Sequence, residues 1–84
     1  MKYALADGVT LEEADGVQVF LKDNGDAAAP NRIGGVIAQQ LISSGFQETI
    51  QYIIATYDVD EQTATRDIVE FANLLETREL IKKS

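Results

Sequence analysis

An α+β domain of winged helix-turn-helix type, a three-stranded antiparallel sheet followed by three helices, is the fold class that this sequence predicts. Three observations predict it. Two glycine-containing hairpin signals, Asp15-Gly16 and Asn24-Gly25, punctuate the first third of the chain. Around the first of them apolar and polar residues alternate, the period of a half-buried strand. After Asn31 the apolar spacing becomes helical and stays so.

The elements follow in order. Residues 1–8 read as a short lead-in. A first strand begins at Val9, where Val9 and Leu11 alternate with Thr10 and Glu12. Asp15-Gly16 closes it, because both residues tolerate positive φ. In the second strand Val17, Val19 and Leu21 alternate with Gln18, Phe20 and Lys22. After Asn24-Gly25 a third strand is predicted over Asp26 to Ala29. Alanine is a poor strand former, so this stretch also fits a loop of small residues. Pro30 cannot donate to a ladder, which ends the strand and suits a sheet edge. An edge strand leaves backbone groups free to pair with another peptide.

Asn31 is a good N-cap for a first helix over Arg32 to Ser44, carrying Ile33, Val36, Ile37 and Leu41. Gly34-Gly35 weakens that helix but permits close packing against the sheet. The pair lacks the spaced glycines and the lysine of a nucleotide loop. Gly45 stands in the usual C-terminal glycine position. A second helix is predicted over Gln47 to Tyr57, with Ile50, Ile53, Ile54 and Tyr57 apolar. Asp60 caps a third helix running to Thr77, with Glu61 in its first turn. Ala64, Ile68, Phe71 and Leu75 form its inward stripe. Leu74 lies to one side, towards Asp67, while Val69 and Ala72 form the opposite flank. Leu80 and Ile81 are expected to fold back onto the core.

Composition narrows the function. Residues 1–84 are read as one domain, with 45% hydrophobic residues to build its core. The chain has no cysteine and no histidine, so no metal site, cofactor or catalytic site is expected. Lys and Arg total 7 against 14 Asp and Glu, a net charge of -7. That balance repels phosphate, so neither nucleic acid nor an anionic membrane is an expected partner. No apolar run approaches the roughly 20 residues that span a bilayer. No signal peptide is evident, and a cytoplasmic location is expected. Asp67 and Glu70, one turn apart, have nothing converging on them and do not read as a catalytic pair. They suit a solvated face, or a rim that orients a basic partner residue. Tyr3, Tyr52 and Tyr57 are scattered and read as packing residues.

In order and spacing these elements resemble the PqqD-like domains. The likeness is carried by the apolar strand, the Asp15-Gly16 turn, a second apolar strand, a glycine turn, a short strand ending at Asn31, and a helix ending in Ser43-Ser44-Gly45. Downstream it is carried by Tyr57-Asp58-Val59, Arg66-Asp67-Ile68-Val69, Phe71, Leu74-Leu75 and Leu80-Ile81, so that it covers residues 9 to 81. The resemblance implies a peptide-recognition element of ribosomal peptide biosynthesis, which binds the leader segment of a precursor peptide and hands it to a separate enzyme. That enzyme would be a leader peptidase, a cyclase or a radical modifying enzyme. The leader would add as a strand to the backbone of Asp26, Ala27, Ala28 and Ala29. Asp67, Ile68, Phe71 and Leu74 of the third helix would line the groove beneath it.

A chain of this length looks most like the stand-alone leader-binding half of a split lasso-peptide protease. A chaperone of pyrroloquinoline quinone biosynthesis is the alternative. Two departures from the family pattern stand out: alanines where relatives carry larger third-strand residues, and Glu79 where glycine is usual. The second puts the end of the third helix in question. Outside the family, a winged-helix DNA regulator fits the topology, but residues 60–79 hold six acids and two bases. A monomer or weak dimer is expected, because a free edge can pair with its own copy.

Overall fold

The computed structural model describes residues 2–84. Its elements are β1 (Tyr3–Leu5), β2 (Val9–Ala14), β3 (Val17–Lys22), β4 (Ala27–Ala28), α1 (Arg32–Ser43), α2 (Phe46–Thr56), α3 (Glu61–Thr77) and β5 (Ile81–Lys83). The predicted antiparallel sheet is present, in the order β2-β3-β4, with the three helices after it.

Turn chemistry sets the register of that sheet. Asp15 and Gly16 both have positive φ, 53° and 78°, as a two-residue hairpin between right-twisted strands requires. Leu11 then faces Phe20, and Ala14 faces Val17. The second turn is a longer loop. Gly25 donates to the Lys22 carbonyl at 3.0 Å, and Lys22 N–H donates to the Asp26 carbonyl at 2.8 Å. Asn24 Oδ1 takes the Asp26 N–H at 2.9 Å, an Asx contact that holds the bend.

β4 is shorter than predicted, with Phe20↔Ala28 and Leu21↔Ala27 as its pairs. Asp26 remains in the turn, and Pro30 follows too closely for a longer ladder. The lead-in prediction for residues 1–8 is overturned. Tyr3–Leu5 forms a second sheet with Ile81–Lys83, pairing Leu5 with Ile81. The two strands stand at opposite ends of the sequence, so no local pattern announces their pairing. Tyr3, Leu80 and Ile81 are buried, so the chain end packs on the core as expected.

The helices keep to within a residue of their predicted bounds. Asn31 Oδ1 accepts the Gly34 N–H at 2.7 Å, and Asp60 Oδ1 accepts the Thr63 N–H at 2.7 Å. Gly45, at φ 109°, ends α1 and also supplies the carbonyl that starts α2. α3 ends at Thr77 despite the glutamate. Glu79 adopts φ 60°, its N–H bonding to the Glu76 carbonyl at 2.9 Å and that of Leu80 to the Leu75 carbonyl at 2.9 Å. This is the Schellman pattern, built here without its usual glycine. Phe20, Leu41, Ile68, Ala38 and Ala72 sit at the centre of the core, with Ile50, Leu75 and Leu80 around them.

Candidate functional site

A groove of about 300 Å³ runs between β4 and the C-terminal half of α3. Ala27, Ala28, Ala29 and Pro30 form one wall; Phe71, Leu74, Leu75 and Arg78 form the other. Phe20, fully buried, closes the floor. The groove exists because β4 is short and stops at a proline, leaving the apolar side of the last two turns of α3 only partly covered. Leu74 is 45% exposed, and Phe71 is half-buried.

Gly34 fixes the depth of the groove at one end. A Cβ there would lie 3.1 Å from Phe71 Cζ, Pro30 Cβ and Asn31 Oδ1. The absence of a side chain lets the Phe71 ring rest against the start of α1. Gly35 makes the equivalent close approach to Gln18 of β3, where a Cβ would lie 3.1 Å from the Gln18 Cβ. The pair is therefore a packing device, as the sequence suggests.

The free edge has a definite pattern. In an antiparallel pair, hydrogen-bonded and non-bonded residue pairs alternate. The Lys22–Asp26 bond places Lys22 and Asp26 in a bonded pair. Leu21 and Ala27 then form a non-bonded pair, and Phe20 and Ala28 a bonded one. Ala28 thus spends its backbone groups on β3. The N–H and C=O of Ala27 point to the open side, and those of Ala29, just past the ladder, have no backbone partner among the described residues. By the period of the pleat, Ala28 shares a face with Phe20 and is half-buried, while Ala27 and Ala29 are exposed.

Of the residues singled out in the sequence, Ala27, Ala28, Ala29, Phe71 and Leu74 come together in this groove. Asp26 lines an adjoining hollow with Lys22 and Arg78. Asp67 and Ile68 are not in the groove. They border a separate apolar hollow of about 230 Å³, with Ile33, Ile37, Tyr57 and Val59. Asp67 precedes Phe71 by four residues, about 6 Å of helix. At that level α3 faces α1 and α2 instead of β4. Ile68 is 1% exposed and packs in the core at the base of that hollow. Ala72, assigned to a flank, is buried too, so the core stripe of α3 is turned towards it and away from Leu74.

Arg78 was missed. It continues the Phe71, Leu74, Leu75 spacing by one further turn, a pattern that extending the helical period to the end of α3 would have found.

The site holds no evident acid–base or nucleophilic machinery. Asp60 has its carboxyl held below the usual range, chiefly by the Thr63 backbone N–H, but it caps α3 away from the groove. Tyr3 is pushed up, first by burial and then by the Glu76 carboxylate. Both shifts belong to the scaffold. Among the described residues no group of three acids could hold a metal ion, and no helix is long and apolar enough to cross a membrane.

A profile of the family described as coenzyme PQQ synthesis protein D (PqqD) matches residues 9–81. No curated protein matches the sequence. Two solved structures share the fold over 98% of this chain. One, lasso peptide synthetase B1 complexed with the leader peptide, has a TM-score of 0.87 at 20% identity, with 99% of its own chain covered. The other, TbiB1 in complex with the TbiA(beta) leader peptide, has a TM-score of 0.83 at 29% identity, with 95% of its own chain covered.

Proposed function

The chain belongs to the PqqD family, and from that premise we propose that it is a non-catalytic leader-binding module. It captures the leader segment of a ribosomally made precursor peptide as an added strand on β4. The observation that carries this reading is the open edge of Ala27 and Ala29 above an apolar groove. Main-chain bonds to that edge would hold almost any extended peptide, while the pockets at Phe71 and Leu74 would select side chains.

A strand added to β4 extends the sheet by one member, with alternate side chains pointing into the groove. The residue opposite Ala28 lies over Phe71 and Leu74, where an aromatic or aliphatic side chain removes both from water. Alanines in β4 leave that row low, so the peptide backbone approaches without obstruction. Affinity then depends on one or two apolar anchors, because the buried area is small.

Lasso-peptide maturation is the favoured setting, since both similar structures carry leader peptides and one is named as a lasso peptide synthetase component. The bound precursor would be passed to a separate leader peptidase or cyclase. A peptide chaperone for a radical enzyme is the neighbouring possibility within the family.

The test is an anisotropy titration with the labelled N-terminal half of the precursor encoded beside this chain's gene, with duplex DNA as control. Saturable binding to the peptide alone, with amide shifts concentrated at Ala27 and Ala29, is the expected result. Peptide binding that leaves those amides unmoved would overturn strand addition; binding to the duplex alone would overturn the whole reading.

A further inference from the structure

We propose that the turn-proximal end of the groove is a carboxylate subsite, in which Lys22 and Arg78 receive an Asp or Glu side chain of the bound peptide. This rests on strand addition to β4 and adds the charge of the ligand to it. A hollow of about 350 Å³ continues the groove past Ala28, lined by Lys22, Asp26, Ala27, Ala28, Arg78 and Leu80. Two of the seven cations in a chain of net charge -7 therefore face one small space.

Neither of the two is neutralised internally. Among the described residues the ion pairs are Arg66–Asp67, Lys82–Asp7 and Lys83–Glu76. A cation at the end of α3 suits the helix dipole, which accounts for Arg78 but not for a second cation reaching the same hollow from β3. Asp26 is the counter-charge in this space. It is held to the turn by Asn24, whose Nδ2 lies 3.3 Å from Asp26 Oδ2, and it pairs with neither cation. Within the lining of this hollow one anion stands against two cations, while Asp7, Asp23 and Glu79 border the next hollow, which Lys22 also lines.

The register places the subsite. Phe20 and Ala28 form one row across the sheet, and Lys22 and Asp26 form the next row on the same face. A peptide residue opposite Ala28 fills the apolar part. The next residue on that face, two positions along and about 7 Å away, reaches the Lys22 row. Arg78 reaches it from the C-cap of α3, where it lines both the apolar groove and this hollow. The recognised pattern is thus an apolar residue and an acidic residue two positions apart.

A displayed library of random linear peptides would be selected on the wild-type protein, on Lys22→Gln/Arg78→Gln and on Lys22→Glu/Arg78→Glu, each first shown to unfold as cooperatively as wild type. Wild type should enrich an acid two positions from an aromatic or aliphatic residue. The preference should vanish in the neutral variant and become basic in the reversed one. A synthetic peptide of the enriched sequence should weaken about fivefold when its acid is made an amide, the effect of one partly screened ion pair. Asp26→Asn should tighten the acidic peptide. Enrichment of apolar residues with no acidic preference would overturn the subsite while leaving strand addition intact. Failure to enrich any extended apolar pattern would overturn strand addition and the subsite with it.

Discussion

Proline substitution along β4 should separate the edge that folds the protein from the edge that binds. Ala27→Pro removes an N–H that no internal partner uses, because Leu21 and Ala27 form the non-bonded pair. Ala28→Pro removes one that pairs with β3 at Phe20, a fully buried residue. For Ala27→Pro the loss falls on the complex. One main-chain hydrogen bond is worth about 1 kcal/mol net, and the peptide carbonyl left facing the ring costs about 1 kcal/mol more. The sum, about 2 kcal/mol, weakens the leader roughly 30-fold. Stability should hardly change, since proline is tolerated at an edge whose N–H faces outward. For Ala28→Pro the same bond is lost inside the domain, and the deficit of about 1–3 kcal/mol appears in thermal or urea unfolding. The assay is anisotropy with a labelled leader, beside a melting curve for each variant. A folded Ala27→Pro that binds as tightly as wild type would refute the outward assignment of that N–H.

Three further outcomes are expected. Leu74→Ala should cost less than about 0.5 kcal/mol in folding, because Leu74 is 45% exposed, yet weaken leader binding by about 1 kcal/mol through lost apolar contact, read by paired melting and titration. Glu79→Gly should stabilise the protein by about 1 kcal/mol, since the αL position at φ 60° is strained for glutamate and free for glycine; a fall in Tm would contradict this. Asn31→Ala should cost about 1 kcal/mol by removing the Gly34 cap, and its melting curve would show it.

Two pH effects have opposite signs. Tyr3 has its pKa raised by burial, so the stability it confers is complete below the ordinary tyrosine range and is lost as pH rises through its folded value. Tyr3→Phe should flatten that alkaline limb. Asp60 has its pKa lowered by the Thr63 N–H, so its contribution is present above the ordinary aspartate range and is lost as pH falls through the depressed value. Asp60→Asn should soften the acid limb, both limbs being read from urea midpoints across pH.

How much of this was legible depended on the distance over which each feature is specified. Asp15-Gly16, Asn31, Gly45 and Asp60 act on their own neighbours, and each stands where its chemistry places it. Strand β1 is specified by nothing near it: Tyr3–Leu5 becomes a strand only because Ile81–Lys83 arrives beside it. The groove lies between these extremes. That α3 has an apolar stripe is local information, but how far the stripe is covered depends on where β4 stops. Pro30 and the Asp26 turn decide that, and they sit some forty residues earlier in the chain. Asp67 and Phe71 share a helix face, and only tertiary placement separates them, one beside α1 and α2, the other beside β4.

The alanines of β4 show the same point from the other side. Their weak strand propensity invites a loop reading, yet two ladder pairs suffice to hold the strand because Phe20, its neighbour, is locked in the core. Strand formation at this edge is thus a property of β3. It follows that loosening Phe20, which also floors the groove, should weaken peptide capture with every residue of the free edge unchanged. Phe20→Leu, which keeps most of the apolar volume, is expected to cost about 1 kcal/mol in folding and disproportionately more in leader affinity. Equal losses in the two measurements would mean that β4 holds its extended form without support from β3.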